Sequence, residues 1–388
     1  MAQLAVIRNI RNYMKKQIWI PILIIAVIIV GLVIFLPRSK NPTDKEPIKI
    51  GAILPLTGNM ATYGEGWKNS ILLAIENNGL KDKIQLTIED DASCVVVQDV
   101  TVTQKLVDVD KVKAIIGPAC SSSFLALLPV TEKNKVILIS SSATSKSISG
   151  AGNYIFRTVG SDAEKAIAVA DFAYKQGFKK AALLYDLAND SFVQQRDDVR
   201  TEFVKKGGQI VIDESFKSGD IDFKTQLTKI KKSDADLVFV GFFPTKEGAL
   251  VLKQAKELGI DLQLISSAPE IGTSDFINIA GDLAEGIIFP FTETPTNKEY
   301  TDFINAYKNK FGKDSIGYGL ETYDAATLLI RAIAKSDGTP DSIKKKLYQL
   351  GQNYYGASGI ITFGENGDVQ KPISIRTIKN GQFVPYEE

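Results

Sequence analysis

From residue 48 onward the chain alternates short β-branched runs with longer stretches whose apolar positions recur every three or four residues. That alternation is the signature of βαβ units feeding a parallel sheet. Strand-like segments at 48–55, 84–89, 112–117 and 136–140 are separated by helical patterns at 64–77, 98–110 and 124–134. They predict four strands joined by right-handed crossovers. A second series follows Arg157, with helices at 162–176, 192–206, 223–232, 246–258 and 275–280 and strands at 181–185, 209–213, 237–243 and 262–266. Gly177, Gly207 and Gly259 stand just past predicted helices, where a left-handed C-terminal cap requires glycine. The last third carries helices at 298–311, 322–335 and 341–349 and strand-like segments at 359–363, 373–379 and 382–385, too few strands for a third domain. The expected fold is therefore α/β, with two doubly wound parallel-sheet lobes. Lobe 1 takes residues 48–160 plus about 291–370, lobe 2 takes 161–290 plus about 371–388, and crossings near 160, 290 and 370 form a hinge.

The N-terminus follows a different pattern. Residues 18–36 are 19 uncharged, mostly apolar residues, which as a helix rise about 28 Å and match the hydrocarbon core of a bilayer. Arg8, Arg11, Lys15 and Lys16 precede the run, and Trp19 suits an interface. The positive-inside bias makes residues 1–17 a cytoplasmic stub, 18–36 a transmembrane helix and 37–47, with three prolines, a linker. Everything beyond is expected outside the cytoplasm, on a single-pass protein of the cell membrane. A cleaved signal peptide is the alternative, but the run exceeds a usual signal core and no small-x-small site follows Phe35.

Charge and composition narrow the function. Residues 1–47 carry seven Lys/Arg and two Asp/Glu, a net of +5, which leaves residues 48–388 at −4. A nucleic-acid-binding surface is not expected from that balance. The chain has no histidine, which excludes Ser-His-Asp catalysis and His-based metal sites. No metal or cofactor is expected, nor is enzymatic turnover. Cys94 and Cys120, the only cysteines, each follow a predicted strand. Adjacent parallel strands would bring the two together, and both lie in the part placed outside the cytoplasm, so a Cys94–Cys120 disulfide is expected; two buried thiols are the alternative in a reducing compartment.

Open parallel sheets bind ligands beyond the carboxyl ends of their strands, so the loops after strands hold the candidate site. The loop 54–67 delivers Tyr63 and Gly64 into a helix, and its Gly64-Glu65-Gly66 lacks the third glycine of a dinucleotide fingerprint. Ser121-Ser122-Ser123 opens a helix after the strand ending near Gly117. Free amides and the positive end of a helix dipole favour an anion there, although one serine could simply cap the helix. Ser142 and Thr144 sit at the next strand end and converge on the same point. Glu270, at a strand end of the second lobe, can pair with a ligand ammonium or stay a solvated loop charge; Asp162, just beyond the first hinge crossing, has the same two readings and a third, that it only caps its helix.

Six stretches in order resemble the branched-chain amino-acid-binding members of the type I periplasmic solute-binding proteins of ABC transporters. They are residues 50–58, 61–64, 90–94, 116–123, 156–162 and 279–286, and the resemblance covers essentially all of 48–388. It implies two lobes joined by a three-stranded hinge that close on a ligand, no catalysis, an ABC transporter permease as partner and a soluble part that is monomeric. Carried over by position, Ser121 and Thr144, with the backbone of Ser142 and Ala143, resemble the family's carboxylate ligands. Glu270 resembles its ammonium partner, and Tyr63 would lie along the ligand side chain. Two positions depart from the pattern: Asp190 falls near a usual aromatic residue, and Phe243 replaces a usual tyrosine. The implied ligand is an aliphatic amino acid. A sensor ectodomain or a binder of amides and urea-like solutes is the alternative.

Overall fold

The computed structural model describes residues 47–387 apart from 59, 188–189, 218, 243–245, 269–270 and 272–273. The stub, the apolar run 18–36 and linker residues 37–46 lie outside that set. Among the described residues no helix is long and apolar enough to cross a membrane.

The chain opens with β1 (Ile48–Leu54), α1 (Ala61–Asn77), β2 (Ile84–Asp90), α2 (Val96–Gln104), β3 (Ala114–Ile116), α3 (Ser121–Lys133), β4 (Ile137–Ser140) and β5 (Ile155–Arg157). The five strands form one parallel sheet in the order β2-β1-β3-β4-β5. In β1, Ile50, Ala52 and Ile53 are fully buried, as a central strand covered on both faces must be. One face is covered by α2 and α3, through Val102, Phe124 and Leu127 against Ile53, Ile115 and Leu138.

The second half runs α4 (Asp162–Lys175), β6 (Lys180–Asp186), α5 (Asp190–Lys205), β7 (Gln209–Phe216), α6 (Lys224–Lys232), β8 (Leu237–Gly241), α7 (Lys246–Glu257), β9 (Gln263–Ser266), α8 (Ser274–Ala280) and β10 (Ile288–Thr292). Then come α9 (Lys298–Phe311), α10 (Gly319–Ala334), α11 (Pro340–Leu350), the hairpin β11 (Tyr354–Gly356) and β12 (Gly359–Ile361), and finally β13 (Ile373–Lys379) and β14 (Gln382–Pro385). The second sheet has the order β14-β13-β10-β9-β8-β6-β7. Read from β7, its first five strands repeat the order of the first sheet, and β13 and β14 extend it antiparallel. Helices α4 and α5 cover one face and α6, α7 and α8 the other. The chain returns to the first sheet in between, because Leu328, Leu329, Ile343 and Leu347 of α10 and α11 share a core with Ile50, Ile116 and Ile139.

Several elements differ from the pattern-based expectation. Strands β5 and β11 have three residues each, too few to show a period of two. Strand β10 contains Pro290, which ordinarily argues against a strand inside a sheet. Its pairing with β9 is confined to Ile288↔Ile265, so on that side Pro290 interrupts no ladder. The helix expected from residue 124 begins at Ser121. The expected adjacency of the cysteine-bearing strands is also wrong: β1 lies between β2 and β3. Cys94 and Cys120 nevertheless form a disulfide, with Cα atoms 5.8 Å apart, because both loops fold over the end of β1.

Candidate functional site

In the order β2-β1-β3 the chain leaves β1 to one side and comes back on the other, so the loops after β1 and β3 diverge and open a crevice. A cavity of about 810 Å³ lies there, bounded by Tyr63, Trp67, Ser121, Thr144, Asp162 and Tyr318 among others. Glycines shape its first wall. A side chain on Gly64 would come within 2.0 Å of the Pro55 carbonyl, and one on Gly66 within 2.4 Å of Ile316. The Gly64-Glu65-Gly66 pair therefore serves close packing of α1, not a phosphate. That packing seats Trp67, 2% exposed, whose Nε1 donates to the Gly317 carbonyl at 2.7 Å while Tyr63 and Tyr318 flank its ring.

The hydroxyls of the first wall divide by what they are bonded to. Cys120, extended at φ −100° and ψ 147°, holds the N-cap position of α3, and no serine side chain caps the helix. The first turn of α3 thus points its amides outward with the helix dipole behind them. Ser121 Oγ accepts from the Ser145 amide at 3.1 Å, and its own proton has no acceptor among the described residues. Ser142 donates to the Ala119 carbonyl at 2.8 Å and Thr144 to Asp162 Oδ2 at 2.7 Å, so neither hydroxyl has a proton left for an anion. Ala143 backs the wall without lining it: its side chain is buried, its amide donates to Ser140 and its carbonyl accepts from Arg157. The anion donors of this wall are the Ser121 hydroxyl and the backbone amides around it.

Asp162 faces them. It is the first residue of α4, whose cap is Ser161, so the capping role open to it from sequence belongs to its neighbour. Its carboxylate accepts from Thr144 and Ser191 on one oxygen and from Lys165, at 2.9 Å, on the other. Burial alone would push this carboxyl up. The Lys165 charge and the three hydrogen bonds outweigh burial and hold it below the usual carboxylate range. The cavity therefore presents hydroxyl and amide donors on one side and an ionised carboxylate on the other.

The first wall is braced from behind. Asp90 accepts from the amides of Leu56, Thr57 and Ala92 and from the Thr57 hydroxyl, which ties the loop after β1 to the loop after β2. Ala92, Ser93 and Cys94 follow with φ of 51°, 62° and 71°, three consecutive non-glycine residues in the left-handed region. Each costs about 1–2 kcal/mol. The disulfide carries that turn to Cys120 at the start of α3. Beneath α3, Ser123 donates to Asp99 at 2.5 Å. Burial, with the charge of Asp91 added, pushes Asp99 up to about 6 despite that bond. Arg157, fully buried and paired with Asp368 at 2.7 Å, donates to the Ser145 carbonyl at 2.9 Å and so fixes the segment carrying Thr144.

Of the residues expected from sequence, Tyr63, Ser121, Ser142 and Thr144 meet at the cavity. Phe243 and Glu270 lie outside the described residues, and Asp190 begins α5 with its side chain outside them. Sequence reasoning missed Tyr318 and Arg157. Tyr318 precedes α10 in a left-handed conformation at φ 61°, and the flanking Gly317 and Gly319 were the signal for an unusual turn. Arg157 reads as a solvated charge until its strand, β5, is recognised. Among the described residues no group of three or more His, Cys, Asp or Glu could hold a metal.

The profile of the family described as periplasmic binding protein matches residues 47–382. The chain is 31% identical over 361 residues to the leucine-, isoleucine-, valine-, threonine- and alanine-binding protein of Pseudomonas aeruginosa, covering 88% of this chain and 90% of that one. A solved leucine-binding protein from Thermotoga maritima matches with a TM-score of 0.71 at 29% identity, covering 88% and 98% of the two chains. A solved solute-binding protein of an ABC transporter from Rhodopseudomonas palustris, in complex with 3,4-dihydroxybenzoic acid, matches with a TM-score of 0.69 at 28% identity, covering 87% and 95%.

Proposed function

Because the chain belongs to the periplasmic binding protein family, we propose that it is the extracytoplasmic solute-binding component of an ABC importer and captures an aliphatic, branched-chain-type amino acid. The observation that carries this is the pairing, within one cavity, of the Ser121 helix start with the ionised Asp162. A zwitterion matches both charges: its carboxylate meets the Ser121 hydroxyl and the amides of α3, and its ammonium meets Asp162. Glu270, which follows β9 in the sequence, is assigned as the second ammonium partner. Tyr63, Trp67 and Tyr318 supply an apolar flank for the side chain.

The lobes that close on the ligand are residues 48–160 plus about 291–370, and 161–290 plus about 371–388. The apolar run 18–36 tethers them to the cell membrane on the 37–47 linker, and an ABC permease is the partner that takes the solute. The protein performs no catalysis. A second reading, capture of an aromatic carboxylate, has the Rhodopseudomonas palustris relative in its favour. It leaves Asp162 facing the ligand carboxylate, which is unfavourable.

Thermal shifts of the full chain against the twenty amino acids and 3,4-dihydroxybenzoate separate the two readings. A ligand at 100 times its Kd adds about 2.7 kcal/mol of stability. A shift with leucine, isoleucine or valine supports the amino-acid reading; a shift with the benzoate alone overturns it.

A further inference from the structure

Helix α5 carries a polar stripe that no ligand assignment uses. Ser191, Gln194 and Asp198 are three and four residues apart and share one face. Three consecutive residues of the opposite wall meet them in order. Thr144 and Ser191 both donate to Asp162 Oδ2, at 2.7 and 3.3 Å. Ser145 Oγ donates to Gln194 Oε1 at 2.9 Å, and Lys146 forms an ion pair with Asp198. The stripe has its own backing, because Gln195 bonds Ser191 at 3.2 Å and accepts from Ser267, beyond β9, at 2.7 Å.

Ser145 is the node of this arrangement. Its amide fixes the Ser121 oxygen, its hydroxyl is held by Gln194, and its carbonyl by Arg157. We propose that Gln194 and Asp198 are positioning residues of the site: the α5 stripe clasps residues 144–146, aims the Ser121 hydroxyl through Ser145, and favours the closed arrangement of the two walls. The Lys146–Asp198 pair is the outer end of the clasp, with Lys146 58% exposed over an Asp198 that is 9% exposed. Salt therefore reaches the pair and screens it. The ligand's own charges meet partners that are mostly buried and less screened, so salt dependence that is lost in Asp198→Asn reports the clasp and not the ligand.

This inference rests on the amino-acid reading of the cavity, and the test separates the two. In the full chain in lipid nanodiscs, L-leucine is titrated at 50 and 500 mM NaCl and its dissociation followed by stopped flow. Asp198→Asn and Lys146→Ala are each expected to raise Kd about 10-fold through faster dissociation, with Tm unchanged. The double variant should be no worse than either single, and the charge exchange Lys146→Asp with Asp198→Lys should recover most of the loss. The salt dependence should vanish in Asp198→Asn. Gln194→Ala should slow nothing but weaken leucine about fivefold. Additive single effects, or an unchanged Kd in all variants, would overturn the proposal.

If wild type binds no amino acid, the amino-acid reading fails while the clasp remains testable without ligand. Both native cysteines are paired, so spin labels at Val97→Cys and Ile221→Cys, exposed in opposite halves, are the only free thiols among the described residues. Asp198→Asn should lengthen or broaden their distance distribution, and an unchanged distribution sinks the clasp.

Discussion

The two sheets share a strand order but build opposite walls. After β1, β3 and β4 the first sheet presents hydroxyls and helix-start amides; beside it, the second half presents Asp162, Ser191, Gln194 and Asp198. The means of support differ as well. The first wall is braced by a disulfide, a left-handed turn and the Asp90 staple. The second combines the Gln195 and Lys165 bonds with close packing, Gly241 passing so near Tyr185 that a Cβ would lie 2.1 Å from its ring. The strand order sets where the crevice is, and the residues in the loops decide which charge each side offers.

Removing the brace of the first wall is the largest perturbation. Cys94→Ser with Cys120→Ser opens a loop of sequence separation 26 and should cost about 3–4 kcal/mol in chemical denaturation, more than any single change in the second wall. An equal loss from a packing change in the second half would erase the contrast. Next comes the polarity of the second wall. Asp162→Asn keeps acceptors for Thr144 and Ser191 but removes the charge, and should cost about 2–3 kcal/mol of leucine binding by calorimetry. Because Asp162 is held below the usual range, wild-type affinity should stay level as pH falls from 7 to 5.

Gly241→Ala tests the packing of the second wall directly. The added methyl must displace the buried Tyr185 ring and should lower stability by about 1–3 kcal/mol, with the first wall's disulfide intact. The smallest effect is on Asp99. Its pKa is raised from 3.8 to about 6, so the folded state binds a proton that the unfolded chain has lost. Stability from this group is full below about pH 4, falls as pH rises to about 6, and is constant above. Asp99→Asn should therefore gain on the order of 1–2 kcal/mol at pH 7.5 and nothing at pH 4, as urea denaturation at the two pH values would read. A gain at both pH values would place the cost in packing instead.

What the sequence revealed follows the same division. The first wall was legible because its residues sit in short runs beside strands and helix starts: the three serines, Ser142 and Thr144 follow strand ends, and Tyr63 lies in the first turn of the helix after β1. Their bonding was not legible. Nothing local to Thr144 says that its proton goes to Asp162, 18 positions away, or that Ser142 is spent on the Ala119 carbonyl. The second wall was harder to read because its residues are spaced along a helix, where Ser191, Gln194 and Asp198 look like a solvated face. Strand β10 was missed because Pro290 speaks against it, and only the end of β9 makes that proline harmless. The disulfide was anticipated for a partly mistaken reason, since the cysteines flank β1 and not a shared strand boundary.

In the function proposed above, one cavity reads both charges of a zwitterion. Calorimetric titration of the full chain with L-leucine, 4-methylpentanoate and 3-methylbutylamine tests it most directly, since the last two keep the leucine side chain and lose one charge each. Leucine is expected to bind, and each analogue to be weaker by about 100-fold or more. Binding of 4-methylpentanoate as tight as that of leucine would contradict it, because Asp162 would then have no part in the site.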